Sequence, residues 1–251
     1  LKMAIDLSRI IEISDPVYTF CEVMDHIDLK KCKELGKVPV SMGIDTWAVD
    51  YAIIDESGKR LGETYGYRDS RTQGMDQRVY EIIPEDELYG RTGIQKQLFN
   101  TIYQLMAIKV KQPKMLDEAE HMLMIPDYFH FKLSGNKIQE YSEATTGQLV
   151  EPNKRDWDWE LIDKLGFKRE IFQKMTMPGT DIGGLTKEVQ EMVGYDCRVI
   201  VPPTHDTASA VMAVPSNAKD VCYISSGTWS LMGVEMDDPN CSEASQAANF
   251  T

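Results

Sequence analysis

Apolar and polar positions alternate in short runs between residues 40 and 65, and this pattern predicts strands. Val40–Asp45 (VSMGID) predicts a short buried strand, and Trp47–Ile54, which combines aromatic and β-branched residues, predicts a second. The turn residues of Glu56–Lys59 (ESGK) separate it from a third predicted strand at Arg60–Tyr65.

The middle of the chain has the spacing of helices. Helical structure is expected from about Gln73 to Gly135, where apolar residues between Leu116 and Leu123 recur at helical intervals and Pro126 interrupts the pattern. Trp157–Gly166 predicts a short amphipathic helix closed by glycine, and Ile182–Gly194 predicts another.

The pattern then returns to a strand followed by a helix. Cys197–Val201 predicts a compact strand that Pro202 and Pro203 end, and the alanine-rich stretch Ala208–Val214 predicts a helix. Because strands and helices alternate along the chain, we expect an α/β fold.

The composition shifts at Pro215–Asn217, which marks a candidate domain boundary. Beyond it, Val221–Ser225 and Trp229–Val234 predict two strands, and the small residues of Ser226–Thr228 predict a hairpin turn between them.

Charge and cysteine usage narrow the possible partners. The 251 residues carry a net charge of −13, from 27 basic and 40 acidic side chains. Neither nucleic acid nor an anionic membrane is expected to bind, because a phosphate-rich surface needs a basic face. No apolar run approaches the ~20 residues that span a bilayer. The five scattered cysteines, without a CxxC pair, favour reduced thiols in a cytoplasmic protein over disulfides or a zinc site.

Several common catalytic motifs are missing from the sequence. It contains no GxxxxGK[ST], GxGxxG, GxSxG or HExxH pattern, and its four histidines share no metal-ligand spacing. A zinc or non-haem iron enzyme is therefore not expected.

Asp206 is the strongest candidate for chemistry, because it lies between a predicted strand and a predicted helix. Open α/β sheets place ligands at the carboxyl ends of strands, and a helix N-terminus keeps a nearby carboxylate ionised and able to accept a hydroxyl proton. From spacing alone, a purely structural role in capping the helix is favoured. A metal-binding pair with His205 is a third interpretation.

Two further segments could hold phosphate or a metal ion. The small-residue turn within Tyr223–Ser230 (YISSGTWS) exposes amide and hydroxyl donors that could hold a phosphate, although an ordinary glycine hairpin explains it equally. Asp6, in the short apolar run MAIDL, could orient Mg²⁺ beside phosphate oxygens or could be a solvated acid.

The polar residues that follow the first predicted strands suit a sugar. Asp45, Asp50 and Trp47, together with the segment Tyr67–Arg71, combine aromatic faces with bidentate polar groups. A surface cluster of salt bridges is an equally compatible interpretation.

Taken together, these segments resemble the FGGY family of carbohydrate kinases. The matching stretches cover residue 40 to the end of the chain: GIDTWAVDY (43–51), YRDSRT (67–72), RTGIQ (91–95), NTIYQL (100–105), LMIPDYFHFKLSG (123–135), PGTDIGGL (178–185), PPTHDTASAV (202–211) and YISSGTWSLMGVE (223–235). IPDY is typical of the family's sugar kinases in general. GIDTW, HDTASAV and SSGTWSLMG are similar to the branch of the family that acts on rhamnulose.

The resemblance implies an actin/hexokinase-like (ribonuclease H-like) fold of two α/β domains around a cleft. Residues 1–215 would form the N-terminal sugar-binding domain, and residues 216–251 would begin an ATP-binding domain that is incomplete here, so the chain is expected to be part of a longer protein. The implied reaction transfers the γ-phosphate of ATP to the 1-hydroxyl of L-rhamnulose. A kinase for another ketose, L-fuculose or xylulose, and a non-catalytic sugar-binding relative remain open.

The resemblance also implies roles for residues of the sugar site. Asp206 would be the base that faces the sugar hydroxyl, and His205 and Thr207 would touch the sugar. Ala48 stands where the family usually has a sugar-contacting glycine, and its methyl group would alter how the sugar sits.

Nucleotide and metal contacts are implied in the same way. Thr228 and Gly227 would contact the phosphates of ATP, and Asp6 would lie near Mg²⁺ and the γ-phosphate. The family's phosphate loop is not found after Asp6, because Leu7 is followed directly by Ser8. We therefore expect either that a segment is missing from the sequence before residue 40 or that the chain diverges there.

Overall fold

Helices and strands alternate along the chain in a computed structural model that describes Gly36, residues 38–216, Ala218, and residues 221–227 and 230–251. The strands are β1 Ser41–Met42, β2 Tyr51–Ile54, β3 His121–Met124, β4 Gln139–Glu140, β5 Val150–Glu151, β6 Asp156–Trp157, β7 Met175–Thr176, β8 Asp181–Gly184, β9 Arg198–Ile200, β10 Cys222–Ser226 and β11 Ser230–Val234. The α-helices are α1 Met75–Tyr80, α2 Glu85–Thr92, α3 Thr101–Lys111, α4 Pro113–Asp117, α5 Ile125–Ser134, α6 Tyr141–Thr145, α7 Trp159–Leu165, α8 Lys187–Val193, α9 Asp206–Met212 and α10 Glu243–Ala247. Short 3₁₀ helices lie at Ser70–Thr72 and Arg169–Ile171.

A three-stranded sheet in the order β1-β9-β8 leads into the segments that contain the candidate residues Ala48 and Asp206. β1 pairs with β9 in parallel, and β8 pairs with β9 in the antiparallel sense. Gly43 follows β1 at a point where the backbone after β1 comes close to the end of β9. A Cβ atom at Gly43 would lie 2.5 Å from the Ile200 carbonyl oxygen and 2.8 Å from Pro202 Cδ. Glycine therefore allows the ends of β1 and β9 to run side by side.

The main hydrophobic core lies around the antiparallel pair β2 and β3. Ile53 pairs with Met122 across these strands, and both side chains are buried against helices α1 and α3. The rings of Trp157 and Phe172 belong to the same core and meet edge to face at 4.9 Å.

Helix α7 shows how local signals fix an element. Asp158 caps it by accepting a hydrogen bond from the Leu161 amide, and Gly166 ends it in the left-handed conformation. Arg91 of α2 donates to both oxygens of Asp158, each at 2.7 Å, and so ties the two helices together.

Among the smaller pairings, β10 and β11 form the antiparallel hairpin that the sequence predicts. The helix predicted within Trp157–Gly166 and the strand predicted at Cys197–Val201 are also confirmed, as α7 and β9. Within the described residues, no helix has both the length and the apolar character needed to cross a membrane.

The first predicted strands are longer than the observed ones. β1 has only two residues, of which Ser41 is exposed and Met42 half-buried, so the expectation of a buried strand over Val40–Asp45 is wrong. β2 starts at Tyr51 because the chain turns at Val49, just before it.

The strand predicted at Arg60–Tyr65 is wrong. Arg60 forms a single β-bridge with Ile54, and within residues 60–65 pairing stops there. Gly62 then adopts a left-handed φ of 65°, which a continuing strand does not allow.

Two predicted helical stretches are wrong in part. β3 lies inside Gln73–Gly135, and because its Met122 and Leu123 are both buried, the strand lacks the alternation that would reveal it. Pro126 lies in the first turn of α5, where a missing amide proton costs nothing, instead of interrupting a helix. The first part of Ile182–Gly194 belongs to β8, and α8 begins only after its cap.

Candidate active site

Asp206 lies where the sequence predicts, just beyond the carboxyl end of β9 and in the first turn of α9. The turn before it pairs with the segment that follows β1: the Thr46 amide donates to the Thr204 carbonyl (2.9 Å), and the Asp206 amide donates to the Thr46 carbonyl (2.8 Å). This bridge pairs His205 with Thr46, two residues before Ala48. The segment that contains Ala48 and the segment that contains His205–Thr207 are therefore neighbours in the fold.

The Asp206 carboxylate is anchored on one side and open on the other. Its Oδ1 accepts hydrogen bonds from the Thr207 amide (2.6 Å) and hydroxyl (3.3 Å). The N-cap position of α9 is occupied by His205, whose side chain makes no capping hydrogen bond. Asp206 acts as a helix cap only through the hydrogen bond that its carboxylate accepts from the Thr207 amide. With 59% of its side chain exposed, Asp206 remains accessible to a ligand.

His205 lies close enough to Asp206 to respond to its charge. Its Nε2 is 3.6 Å from Asp206 Oδ1, and only 23% of its side chain is exposed. Burial lowers the pKa of His205, and the negative charges of Asp206 and Glu140 partly oppose this effect. A neutral imidazole is therefore favoured beside the carboxylate.

Ala48 lies in a strained turn. Val49 has a φ of 68°, and the Asp50 amide donates to the Ala48 carbonyl at 2.9 Å. A β-branched residue rarely adopts this left-handed conformation, which persists only where the surroundings enforce it. Here the Val49 carbonyl accepts from the Thr101 hydroxyl (2.8 Å) and from the Gln104 amide group (3.2 Å), both on α3.

Asp50 connects the two segments that were expected to suit a sugar. Its fully buried carboxylate accepts hydrogen bonds from Trp47 Nε1 (2.7 Å), the Tyr67 amide (3.0 Å) and Gln104 Nε2 (3.2 Å). Burial raises the pKa of Asp50 to about 6, although these bonds and the charge of Arg71 act against it. Asp50 is thus a buried carboxylate that hydrogen-bonds to three separate segments, and it is not part of a surface salt-bridge cluster.

Three buried acids behind the turn were not identified from the sequence: Asp127, Glu140 and Glu143, all with no exposed surface. Burial, followed by the charges of neighbouring acids, raises the pKa of Glu143 well above its ordinary value, and among the described residues neither of its carboxyl oxygens has a hydrogen-bond partner. Burial likewise raises the pKa of Asp127. In the sequence these residues lie among ordinary polar positions, and only the fold shows that they are buried.

Of the residues expected to contact the nucleotide and the metal, the structure describes Gly227. Gly227 lies in the exposed turn of the β10–β11 hairpin, and β10 contacts α9. Thr228, Asp6 and the junction of Leu7 with Ser8 lie outside the described residues.

The chain belongs to the FGGY family of carbohydrate kinases, because the model of the family's N-terminal domain matches residues 17–213. Among solved structures it is similar to a ligand-bound xylulose kinase and a gluconate kinase, both from Lactobacillus acidophilus. Each superposes with a TM-score of 0.81 at 20% identity over 90% of this chain and 46% of the other. These neighbours confirm the predicted actin/hexokinase-like α/β fold.

Curated relatives with higher identity are named rhamnulokinases. That of Halalkalibacterium halodurans is 52% identical over 89% of this chain and 48% of its own length. That of Oceanobacillus iheyensis is 47% identical over 92% of this chain and 50% of its own length, and that of Pectobacterium atrosepticum is 44% identical over 89% and 44%. The chain spans about half the length of these relatives.

Proposed function

We propose that this chain forms the sugar-binding part of an ATP-dependent kinase that phosphorylates the 1-hydroxyl group of L-rhamnulose. The observation that carries the proposal is the accessible carboxylate of Asp206 at the start of α9, where the Asp206 amide is bonded to Thr46. The family supports a sugar as substrate, and the relatives named rhamnulokinase support this ketose.

In this proposal Asp206 acts as the general base. The 1-hydroxyl group gives its proton to the carboxylate, its oxygen attacks the γ-phosphorus of ATP, and the bond from that phosphorus to the bridging oxygen breaks, which releases ADP. His205, Thr207 and Ala48 would position the sugar. Since phosphoryl transfer depends chiefly on positioning and charge, one fixed carboxylate is sufficient as a base.

ATP and Mg²⁺ are implied by the family, and the described residues do not by themselves fit the metal. Within the ranges that the structure describes, no group of three or more His, Cys, Asp or Glu side chains is arranged to hold an ion. Asp6, the expected neighbour of Mg²⁺, is outside those ranges.

The domain division and the compartment are part of the same proposal. Residues 1–215 would be the sugar-binding domain and residues 216–251 the start of an ATP-binding domain, in which Gly227 and Thr228 would contact phosphate. This division is supported by the relatives, whose length is about twice that of this chain. The scattered cysteines support a reducing cytoplasm.

The test measures ADP release over a panel of ketoses in a full-length protein that contains this chain. Asp206→Asn keeps the shape and the bond from the Thr207 amide but removes the basic group, so kcat is expected to fall by about 10²–10⁴-fold while ketose binding remains. Asp117→Asn, at the exposed end of α4, is the matched control and should leave turnover unchanged.

Each alternative predicts a different outcome of this test. Turnover highest with L-fuculose or xylulose would reassign the substrate, and ketose binding without ADP release would indicate a non-catalytic relative. Near-normal turnover in Asp206→Asn would contradict the role of the base. The 251-residue chain alone is expected to bind ketose with weak or no ATP turnover.

A further inference from the structure

The turn that carries Asp206 rests on the carboxylate of Glu140, a residue that is 64 positions away from Thr204 in the sequence. Glu140 Oε2 accepts hydrogen bonds from the Thr204 amide (3.1 Å) and the Thr204 hydroxyl (2.9 Å). The same oxygen accepts from the Ser142 hydroxyl (2.6 Å) and the Glu143 amide (3.0 Å), and Oε1 accepts from the Ser142 amide (2.9 Å). Both Glu140 and Thr204 are fully buried.

These bonds hold the turn in addition to those from Thr46. The Thr204 carbonyl and the Asp206 amide bond to the backbone of Thr46, while the Thr204 amide and hydroxyl bond to Glu140. The His205 amide also approaches the Ser142 hydroxyl at 3.4 Å, and that hydroxyl donates to Glu140. The residues immediately before Asp206 are therefore held by two separate segments of the chain.

Glu140 is itself held rigidly. It lies in β4, which pairs with β7, and its amide donates to both oxygens of Asp127, at 3.3 and 3.2 Å. A fully buried carboxylate is costly unless donors surround it. Capping a short helix such as α6 requires no more than a serine or an asparagine. The Thr204 amide and hydroxyl are two donors beyond those of the α6 cap, so the Glu140 carboxylate also holds the turn before Asp206.

We propose that Glu140 is a positioning residue that sets the place of the Asp206 carboxylate through Thr204. This inference rests on the proposed role of Asp206 as the base. Because a small misplacement of a reacting group lowers the rate strongly, loss of the bond between Glu140 and Thr204 lowers kcat more than it alters ketose binding.

The test compares Thr204→Val with Thr204→Ser in the full-length protein. Valine has the shape of threonine but no hydroxyl donor, and it leaves the cap of α6 intact, whereas serine keeps the donor. We expect a fall in kcat of about 10–100-fold in Thr204→Val at a nearly unchanged KM for ketose. In Thr204→Ser, kcat should be restored to near the unsubstituted value.

Amide hydrogen exchange separates positioning from a general structural role. Exchange at Asp206 should quicken in Thr204→Val and not in Thr204→Ser, with the core amides of α3 unchanged in both.

The outcomes distinguish this inference from the function on which it rests. If Asp206→Asn loses turnover while Thr204→Val keeps a kcat within twofold of the unsubstituted protein, the positioning role is overturned and the base remains. If Asp206→Asn keeps normal turnover, the proposed function fails, and the inference fails with it.

Discussion

At the scale of single residues, the conformation of Val49 is the least expected feature of the site. Its φ of 68° is one that glycine adopts freely and a β-branched residue does not. The bonds from Thr101 and Gln104 to its carbonyl supply the constraint. Strain of this kind is concentrated in functional sites, and Val49 directly follows Ala48.

The strain at Val49 predicts a reversal of the usual stability order of alanine and glycine. Val49→Gly should be more stable than Val49→Ala by about 1 kcal/mol, because only the alanine Cβ is strained at a positive φ. The same pair at Val79, a buried position in α1, is the control, and there alanine should be the more stable by about 1 kcal/mol. Urea unfolding of the four variants measures both differences. Equal stability of the two Val49 variants would show that the turn is not strained.

Residue chemistry explains which positions in the candidate site could be predicted. The position of Asp206, between β9 and α9, follows from local signals: a short apolar strand, two prolines and an alanine-rich helix. Its proposed role as base came from the family resemblance, since spacing alone favoured a helix cap. Gln104 and Glu140 gain their roles from partners 54 and 64 positions away, and their neighbours in the sequence carry no sign of this. Long-range contacts of this kind are not encoded in local periodicity.

At the scale of secondary structure, the close approach of β1 and β9 sets the geometry of the site. Gly43→Ala would place a methyl group 2.5 Å from the Ile200 carbonyl oxygen, so the two strand ends would have to move apart. We expect a loss of about 1–3 kcal/mol in the free energy of unfolding. Faster amide exchange at Thr46 and Asp206 should accompany it, because their bonds join the two strand ends.

Gly90→Ala is the matched control for this substitution. Gly90 is an exposed residue of α2, and within the part of the chain that the structure describes no atom outside its own helix lies within 4 Å of the position of an added Cβ. Alanine there should raise stability by about 0.5–1 kcal/mol. A Gly43→Ala protein as stable as the original would contradict the close approach.

Elements with complete local signals were predicted, and elements defined by pairing were not. Helix α7 has an acidic cap and a terminal glycine, and the β10–β11 hairpin has a small-residue turn. Strand β3 has no such signals, because both of its faces are buried and its identity depends on β2. Strand β8 contains two glycines and forms only because β9 offers an edge for pairing.

At the scale of the whole molecule, the buried acids should make stability fall as the pH rises. The folded protein raises the pKa of Glu143 and Asp127 well above their ordinary values and that of Asp50 to about 6. Between the unfolded pKa and the raised folded pKa, the folded state binds more protons than the unfolded state. The stability of the folded state is therefore lost progressively over that range.

Glu143→Gln should remove the contribution of Glu143, because glutamine keeps the shape and does not ionise. The variant should be the more stable protein at pH 7–8, with a difference that grows by up to about 1.4 kcal/mol per pH unit above the unfolded pKa. Urea unfolding from pH 4 to pH 8 measures this, with Glu118→Gln, on the exposed surface after α4, as the control. An identical pH dependence in the two variants would show that Glu143 does not carry the effect.

The pairing of β1 with β9 also has a consequence for the order in which the molecule folds. Ser41 and Arg198 meet in this sheet, so a loop that contains most of the described chain must close before the strands can pair. Closing such a loop is entropically unfavourable until the intervening chain is compact, and contacts between distant segments form slowly. The core around β2 and β3 is built within residues 51–172, and we expect it to assemble first. The residues around Asp206 would then acquire their geometry last, so a newly made chain would be compact before it could bind a ligand there.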